Sequence, residues 1–209
     1  MKPYILLLIS VAMLIISSCQ KEINYLTGPD EGGNENTNIV DSITGTWNFV
    51  SISAATQSSL EFDVQNITQK TMDYLNYTSL NNAGTITIDD STMTSSRLTY
   101  RILSAIKSYT YKNGVLIDSA QSPINLTFPE SGSTCYYKLI GADSIYFPKG
   151  GFTNIAASRI GTKQNISRLT LNGNTLTFNQ NIYKDSTQIV SGTSYRTIQS
   201  GTAVITLQR

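Results

Sequence analysis

Leu169-Thr170-Leu171-Asn172-Gly173-Asn174-Thr175-Leu176-Thr177-Phe178 alternates apolar and polar side chains on both sides of an Asn-Gly pair. Successive side chains of a strand point to opposite faces, so the leucines and the phenylalanine share one face and the threonines the other. Asn-Gly accepts the positive φ angles that a tight two-residue turn demands. The stretch therefore predicts a β-hairpin with one face buried and one wet. Tyr109-Thr110-Tyr111 repeats the pattern, running into Lys112-Asn113-Gly114 and returning as Val115-Leu116-Ile117.

Working outward, Gly84-Thr85-Ile86-Thr87-Ile88 places two isoleucines on one face, and Asp89-Asp90-Ser91 turns the chain toward a partner strand over 93–103. Further strands are expected near 47–53, 60–64, 124–128, 136–140, 144–147, 188–198 and 202–208. The best helical candidate is 67–80, where Ile67, Thr71, Tyr74 and Thr78 fall on one stripe. Residues 150–164 read as a long loop, a class often functional or mobile. There is no βαβ rhythm. Short strands at even spacing predict an all-β domain. Roughly eight to twelve such strands fit a barrel or a sandwich alike.

At the other end of the chain, Lys2 precedes an apolar run over 5–16, followed by Ser17 and Ser18. That is the layout of a signal peptide. The run is too short for a permanent span, which needs roughly 20 residues. Ile16-Ser17-Ser18-Cys19 resembles the lipobox of bacterial lipoproteins, which implies cleavage before Cys19 and acylation of its thiol. Two or more acyl chains hold stably, since each buried methylene contributes about 0.8 kcal/mol. Residues 1–18 are thus expected to be a lipoprotein signal peptide and 19–42 a lipidated cysteine with a tether. The β domain then covers 43–209. The tether, rich in Gly, Asn, Glu and Asp, reaches on the order of 25 Å as a flexible chain. Gln20-Lys21-Glu22 also resembles the short export signals of some Bacteroidota lipoproteins, so outer-membrane anchoring is expected, on the periplasmic side or at the cell surface.

Lys and Arg number 15 and Asp and Glu 14, so losing Lys2 with the leader leaves the two equal. Opposite charges are interspersed, and no basic block tracks phosphates. No nucleic-acid partner is expected, and the only membrane tie is the lipid. Beyond Cys19 the chain has one cysteine, Cys135, so the mature domain can form no internal disulfide. Its stability must come from burial, and a domain of this size can bury about 70% of its unfolded surface.

Histidine is absent. That removes Ser-His-Asp and Cys-His activation and the common zinc sites. Cys135 sits in an alternating stretch, where a buried core residue is the expected role. The aspartates at 89, 90, 118, 143 and 185 mostly precede Ser or border turns, where a carboxylate accepts backbone hydrogen bonds, not where a glycosidase pair would stand. No enzyme, cofactor or metal is expected, and a monomer is.

Gly45-Thr46-Trp47, at the head of the first strand, resembles the Gly-x-Trp signature that opens the lipocalin barrel. The closing Thr202-Ala203-Val204-Ile205-Thr206-Leu207-Gln208-Arg209 is similar to the last strand of lipocalin-like lipoproteins of Bacteroidota. The resemblance covers 43–209 and implies an all-β domain, a lipocalin-like up-and-down antiparallel β-barrel of roughly eight to ten strands, with an open β-sandwich as the alternative. It implies that Trp47 is a structural residue plugging the closed end, with Arg196 or Arg209 packed across it. The chain departs from the family in lacking a helix after the final strands, and Asp73-Tyr74 comes too early for the family's middle motif.

The Asp-Ser pairs at 41–42, 90–91, 118–119, 143–144 and 185–186 resemble the O-glycosylation motif of exported Bacteroidota proteins, with Ser42 the first candidate because it ends the tether. Three functions fit: a binder of a small apolar or amphipathic ligand, a surface module for glycan or protein, and a structural envelope lipoprotein. Ile86, Ile88, Leu169, Leu171, Leu176 and Phe178 supply the alternation to line an interior, while the 12 tyrosines fit cavity, sugar stacking or ordinary strand packing equally. The first function is the leading expectation, with no residue assigned to a ligand.

Overall fold

β-Branched and aromatic side chains, which suit a pleated half-buried surface, recur through the domain with turn residues between them. The computed structural model describes residues 42–149 and 165–209. Ten strands follow in order: β1 (Gly45–Val64), β2 (Ile67–Thr78), β3 (Leu80–Ile88), β4 (Thr92–Lys112), β5 (Val115–Tyr136), β6 (Lys138–Ile140), β7 (Ser144–Phe147), β8 (Asn165–Asn172), β9 (Thr175–Val190) and β10 (Thr193–Gln208). Cys19, the signal segment, the tether to residue 41 and the expected 150–164 loop lie outside the described residues.

The ladders form a ring. β1 pairs antiparallel with β10 on one side; on the other its start pairs with β3 and its remainder with β2. β4 meets the same two strands from the opposite side. β2 and β3 therefore act as one stave interrupted at Ser79, whose N–H donates to the Ile52 carbonyl at 2.8 Å while its Oγ accepts from the Ile52 N–H at 2.8 Å. β5 and β6, separated by Tyr137, make a second composite stave that pairs with β4 through β5 and with β7 through β6. Ladders β7–β8, β8–β9 and β9–β10 complete the circuit. Eight staves thus follow one another up and down, and the last pairs with the first.

Tight turns join the tall staves. Asn113 and Gly114 take φ of 49° and 80°, and the Asn113 N–H and Oδ1 bond the Thr68 carbonyl and N–H at 2.8 and 2.9 Å. Gln65-Asn66 and Ser191-Gly192 do the same work with φ of 51°, 64°, 50° and 82°. The second of these corrects the expected single strand over 188–198, because the hairpin turns inside it. The helical candidate over 67–80 is also corrected: it is β2, paired on both sides. Ile67 and Thr71 share its inward register and Tyr74 and Thr78 its outward one, which a ladder satisfies and a helix would not. Segments expected as separate strands merge, 47–53 with 60–64 into β1 and 115–117 with 124–128 into β5.

The core sits at one end. Trp47, Ile86, Ile88, Met93, Ile145, Phe147, Leu176 and Phe178 are buried there. Leu171, expected to line the interior, is 41% exposed because it lies at the rim beside the Gly173 turn. Outward positions of this end carry hydroxyls bonded across strands, Thr46 to Thr87 at 3.1 Å and Thr94 to Thr134 at 3.0 Å. At this end the wall is apolar inside and carries these hydroxyl pairs outside, whereas elsewhere the outward face also exposes Leu103, Ile166, Tyr183 and Ile189. Among the described residues β6, β7 and β8 are short, at 3, 4 and 8 residues, while β1, β4 and β5 run on for 20 to 22. No helix among the described residues is long and apolar enough to cross a membrane.

Candidate functional site

The closed end is built around Trp47. Its Nε1 donates to the buried Ile43 carbonyl at 2.7 Å, and the Arg209 guanidinium lies 4.1 Å from its ring centroid. Arg209 Nη2 also donates to the Thr44 carbonyl, and its N–H to the Asn174 carbonyl at 3.0 Å. Gly45 makes room: its φ is +124°, and a Cβ there would stand 3.2 Å from Arg209 Nη2. Of the two arginines expected as candidates, Arg209 stands over the ring. Arg196 instead grips Asp185 with Nη2–Oδ2 at 2.7 Å and Nε–Oδ1 at 3.2 Å on an outward face. Opposite, the buried Tyr137 seals the β3–β4 turn, donating from its hydroxyl to the Asp89 carbonyl and from its N–H to the Ser91 carbonyl at 2.9 Å. Burial, then the nearby Asp90 and Asp89 charges, push its phenol up to about 12.

Above this plug the inward side chains fall in rows that can be read from register. Ile52, Ile205, Phe178 and Leu169 face one another across successive ladders and form an apolar floor. The next row up is Tyr77, Ala54, Ala203, Gln180, Ser167 and Ile145. It differs in kind. Gln180 is 1% exposed and Ser167 is fully buried, yet Gln180 Nε2, Gln180 Oε1 and Ser167 Oγ have no hydrogen-bond partner among the described residues. The buried Tyr100 hydroxyl is likewise unpartnered; its ring stacks on Phe128 at 4.4 Å and meets Phe49 edge-on at 6.0 Å. Its phenol is held above the ordinary tyrosine range by burial first and then by the neighbouring Tyr77. Buried polar groups are paired in the large majority of cases, so several orphans facing one interior are a departure that calls for a reason.

Higher still, the inward face is half-buried and mixed, with Leu60, Phe62, Leu75, Ile106 and Ile182 among hydroxyl residues. Above the plug, the first charges at inward register among the described residues stand here. Asp73, Ser58, Gln199 and Lys184 share a row two above Gln180, and Asp73 accepts from Ser108 Oγ at 2.6 Å.

A depression of about 420 Å³, open to solvent, lies across β10, β1 and β2. Its outward lining is Ser53, Ala55, Asn76, Thr78, Thr202 and Val204, and Ser53 and Thr78 bond across it at 2.9 Å. Elsewhere outside, Tyr74 and Tyr109 pack edge-to-face at 5.8 Å on β2 and β4.

Ser42 is exposed at the start of the described residues. Cys135 is half-buried on β5 against the core, and burial pushes its thiol up to about 11, the opposite of activation. The carboxylates stand apart in separate local contacts: Asp89 with Thr92 at 3.4 Å, Asp185 with Arg196, and Asp143 with Ser144 and Arg168. Those last two hydrogen bonds, Ser144 first, hold the Asp143 carboxyl below its usual range. No cluster of three metal-ligating side chains occurs among the described residues.

Gln180 and Ser167 were not singled out by sequence reasoning. Their signal is nonetheless present: Leu176-Thr177-Phe178-Asn179-Gln180 continues one alternation, so Gln180 is a polar residue at an inward position.

No family model matches the chain, and no curated protein does. Among solved structures it is similar to Ail, the attachment invasion locus protein of Yersinia pestis, at 10% identity over 78% of this chain and 99% of that one. The TM-score is 0.18. The same protein in complex with the heparin analogue sucrose octasulfate matches with the same figures. A likeness this low carries neither fold nor function across.

Proposed function

We propose that this chain is a lipocalin-like lipoprotein, anchored in the outer membrane through acyl chains on Cys19, whose barrel interior binds a small amphipathic ligand without catalysis. The observation that carries the reading is the inward row at Gln180, where buried polar groups without partners among the described residues lie directly above an apolar floor. Ligand pockets are mostly apolar with a few placed polar groups, and an eight-stranded barrel encloses room for side chains or one small ligand. Trp47 and Arg209 shut one end, so entry is from the other.

The experiment is a fluorescence titration of residues 20–209 with N-phenyl-1-naphthylamine, a neutral dye that brightens in apolar surroundings. Saturable one-to-one binding is expected. No binding, together with ordinary stability of the protein, contradicts the reading. A second reading, glycan binding on the outside, is favoured by the Tyr74–Tyr109 pair, because outward aromatic faces stack on sugars; binding on a glycan array that is lost in Tyr74→Ala would select it.

A further inference from the structure

Gln180 stands in the middle of an inward row in which its ladder partners are Ala203 and Ser167, and Ala54 follows Ala203. Two alanines and a serine leave the amide facing the interior with no bulky neighbour in its own row on β1, β10 or β8. Both its donor and its acceptor lack a partner among the described residues, as does Ser167 Oγ. Burying an amide without partners is unfavourable, and the rows below solve the same position with Leu176 and Phe178. A sequence selected for stability alone would continue that apolar choice.

We infer that the Gln180 amide, with the Ser167 hydroxyl beside it, recognises the uncharged polar end of the ligand, an end that carries a donor and an acceptor side by side as a carboxamide does. This inference rests on the interior-binding reading above and names the chemistry of that site. A primary amide on the ligand pairs with Gln180 in the manner of an amide dimer, its N–H donating to Oε1 and its carbonyl accepting from Nε2. Ser167 Oγ can donate or accept as the head group requires. A charged head group is disfavoured, because no ionised side chain stands in this row or in the floor beneath it, and an unpaired charge is far costlier to bury than an amide. The first inward charges, Asp73 and Lys184, lie two rows nearer the mouth. The ligand's apolar body then extends upward along Leu75, Ile182 and Ile106.

The test uses residues 20–209 loaded with N-phenyl-1-naphthylamine and displaced by decanamide, decanoate or decyltrimethylammonium, which share a tail and differ at the head. Decanamide is expected to displace the dye at a concentration at least about tenfold below either charged analogue. Gln180→Met should shrink that preference to within about twofold while raising the thermal midpoint of the ligand-free protein, because the unpaired amide is gone. Ser167→Ala, which leaves Gln180 in place, should weaken the preference about threefold and guards against a misfolded first variant. Equal displacement by all three compounds, or an amide preference that survives both substitutions, overturns the inference while leaving interior binding intact. A lower melting point in Gln180→Met with unchanged preference would make Gln180 structural and also overturn it. Absence of dye binding overturns both readings together.

Discussion

Replacing Trp47 by Ala removes the largest side chain of the closed end, and the cost can be built from its contacts. Loss of a large aromatic from a packed core costs about 3–5 kcal/mol. The Ile43 carbonyl, which accepts from Nε1 at 2.7 Å in a buried setting, is left unpaired, a penalty of about 1–3 kcal/mol. The Arg209 guanidinium, 4.1 Å from the ring centroid, loses a cation–π contact worth about 0.5–1 kcal/mol at an exposed site. These overlap, so we expect a destabilisation of about 4–6 kcal/mol, a large share of the 5–15 typical of a domain. Trp47→Phe keeps most of the ring but strands the carbonyl, and should cost about 1–3 kcal/mol. Arg209→Met keeps a long stem without charge, and the double cycle with Trp47→Phe should return a coupling of about 0.5–1 kcal/mol. Urea unfolding followed by far-UV circular dichroism is the assay, because the chain has one tryptophan and the substitution removes its fluorescence. A Trp47→Ala midpoint equivalent to less than about 1 kcal/mol of loss would refute the plug.

Gly45→Ala places a Cβ at φ +124° and 3.2 Å from Arg209 Nη2; we expect a loss of about 1–3 kcal/mol by the same urea assay, and a wild-type midpoint would show that the loop adjusts freely. Cys19→Ala should abolish labelling by radioactive palmitate and leave the protein unprocessed or soluble, whereas membrane retention of a cleaved, unlabelled mutant would contradict acyl anchoring. The thiol of Cys135 and the phenol of Tyr137 are raised, from 9.0 to about 11 and from 10.0 to about 12, burial being the first cause in each. The folded chain holds both protons longer than the unfolded one, so their contribution is full below pH 9 and is lost as pH climbs from there toward 12. Urea midpoints should therefore fall between pH 8.5 and 11.5, and a midpoint that rises over that window would contradict the sign.

The barrel was legible in the sequence where alternation met turn chemistry. Leu169–Phe178 and Tyr109–Ile117 are hairpins because Asn-Gly stands between alternating runs. Trp47 was legible as a plug through its resemblance, and Arg209 stands over it because β10 runs antiparallel to β1 and so delivers the last residues to the first turn. Residues 67–80 misled because Ile67, Thr71, Tyr74 and Thr78 happen to lie at helical spacing, and only ladders from β1 and β4 decide for a strand. The turn at Ser191-Gly192 was hidden inside a Thr- and Ile-rich run, whereas the one at Gln65-Asn66 falls in the gap between the expected elements 60–64 and 67–80. The interior site was harder. An inward Gln180 follows from parity, but that it lacks partners depends on Ala203, Ala54 and Ser167 arriving from three other strands, and no local pattern carries such cross-barrel register.

The most direct test of the account is a two-dimensional amide correlation spectrum of isotope-labelled residues 20–209 titrated with decanamide, with the Gln180 side-chain resonances assigned through Gln180→Met. The account predicts saturable shifts of the Gln180 side-chain amide and of backbone amides at Ser167, Ala203 and Ala54, with outward Asn76 and Tyr74 unmoved. Shifts confined to the outward face, or none at saturating decanamide, would contradict an interior binding barrel.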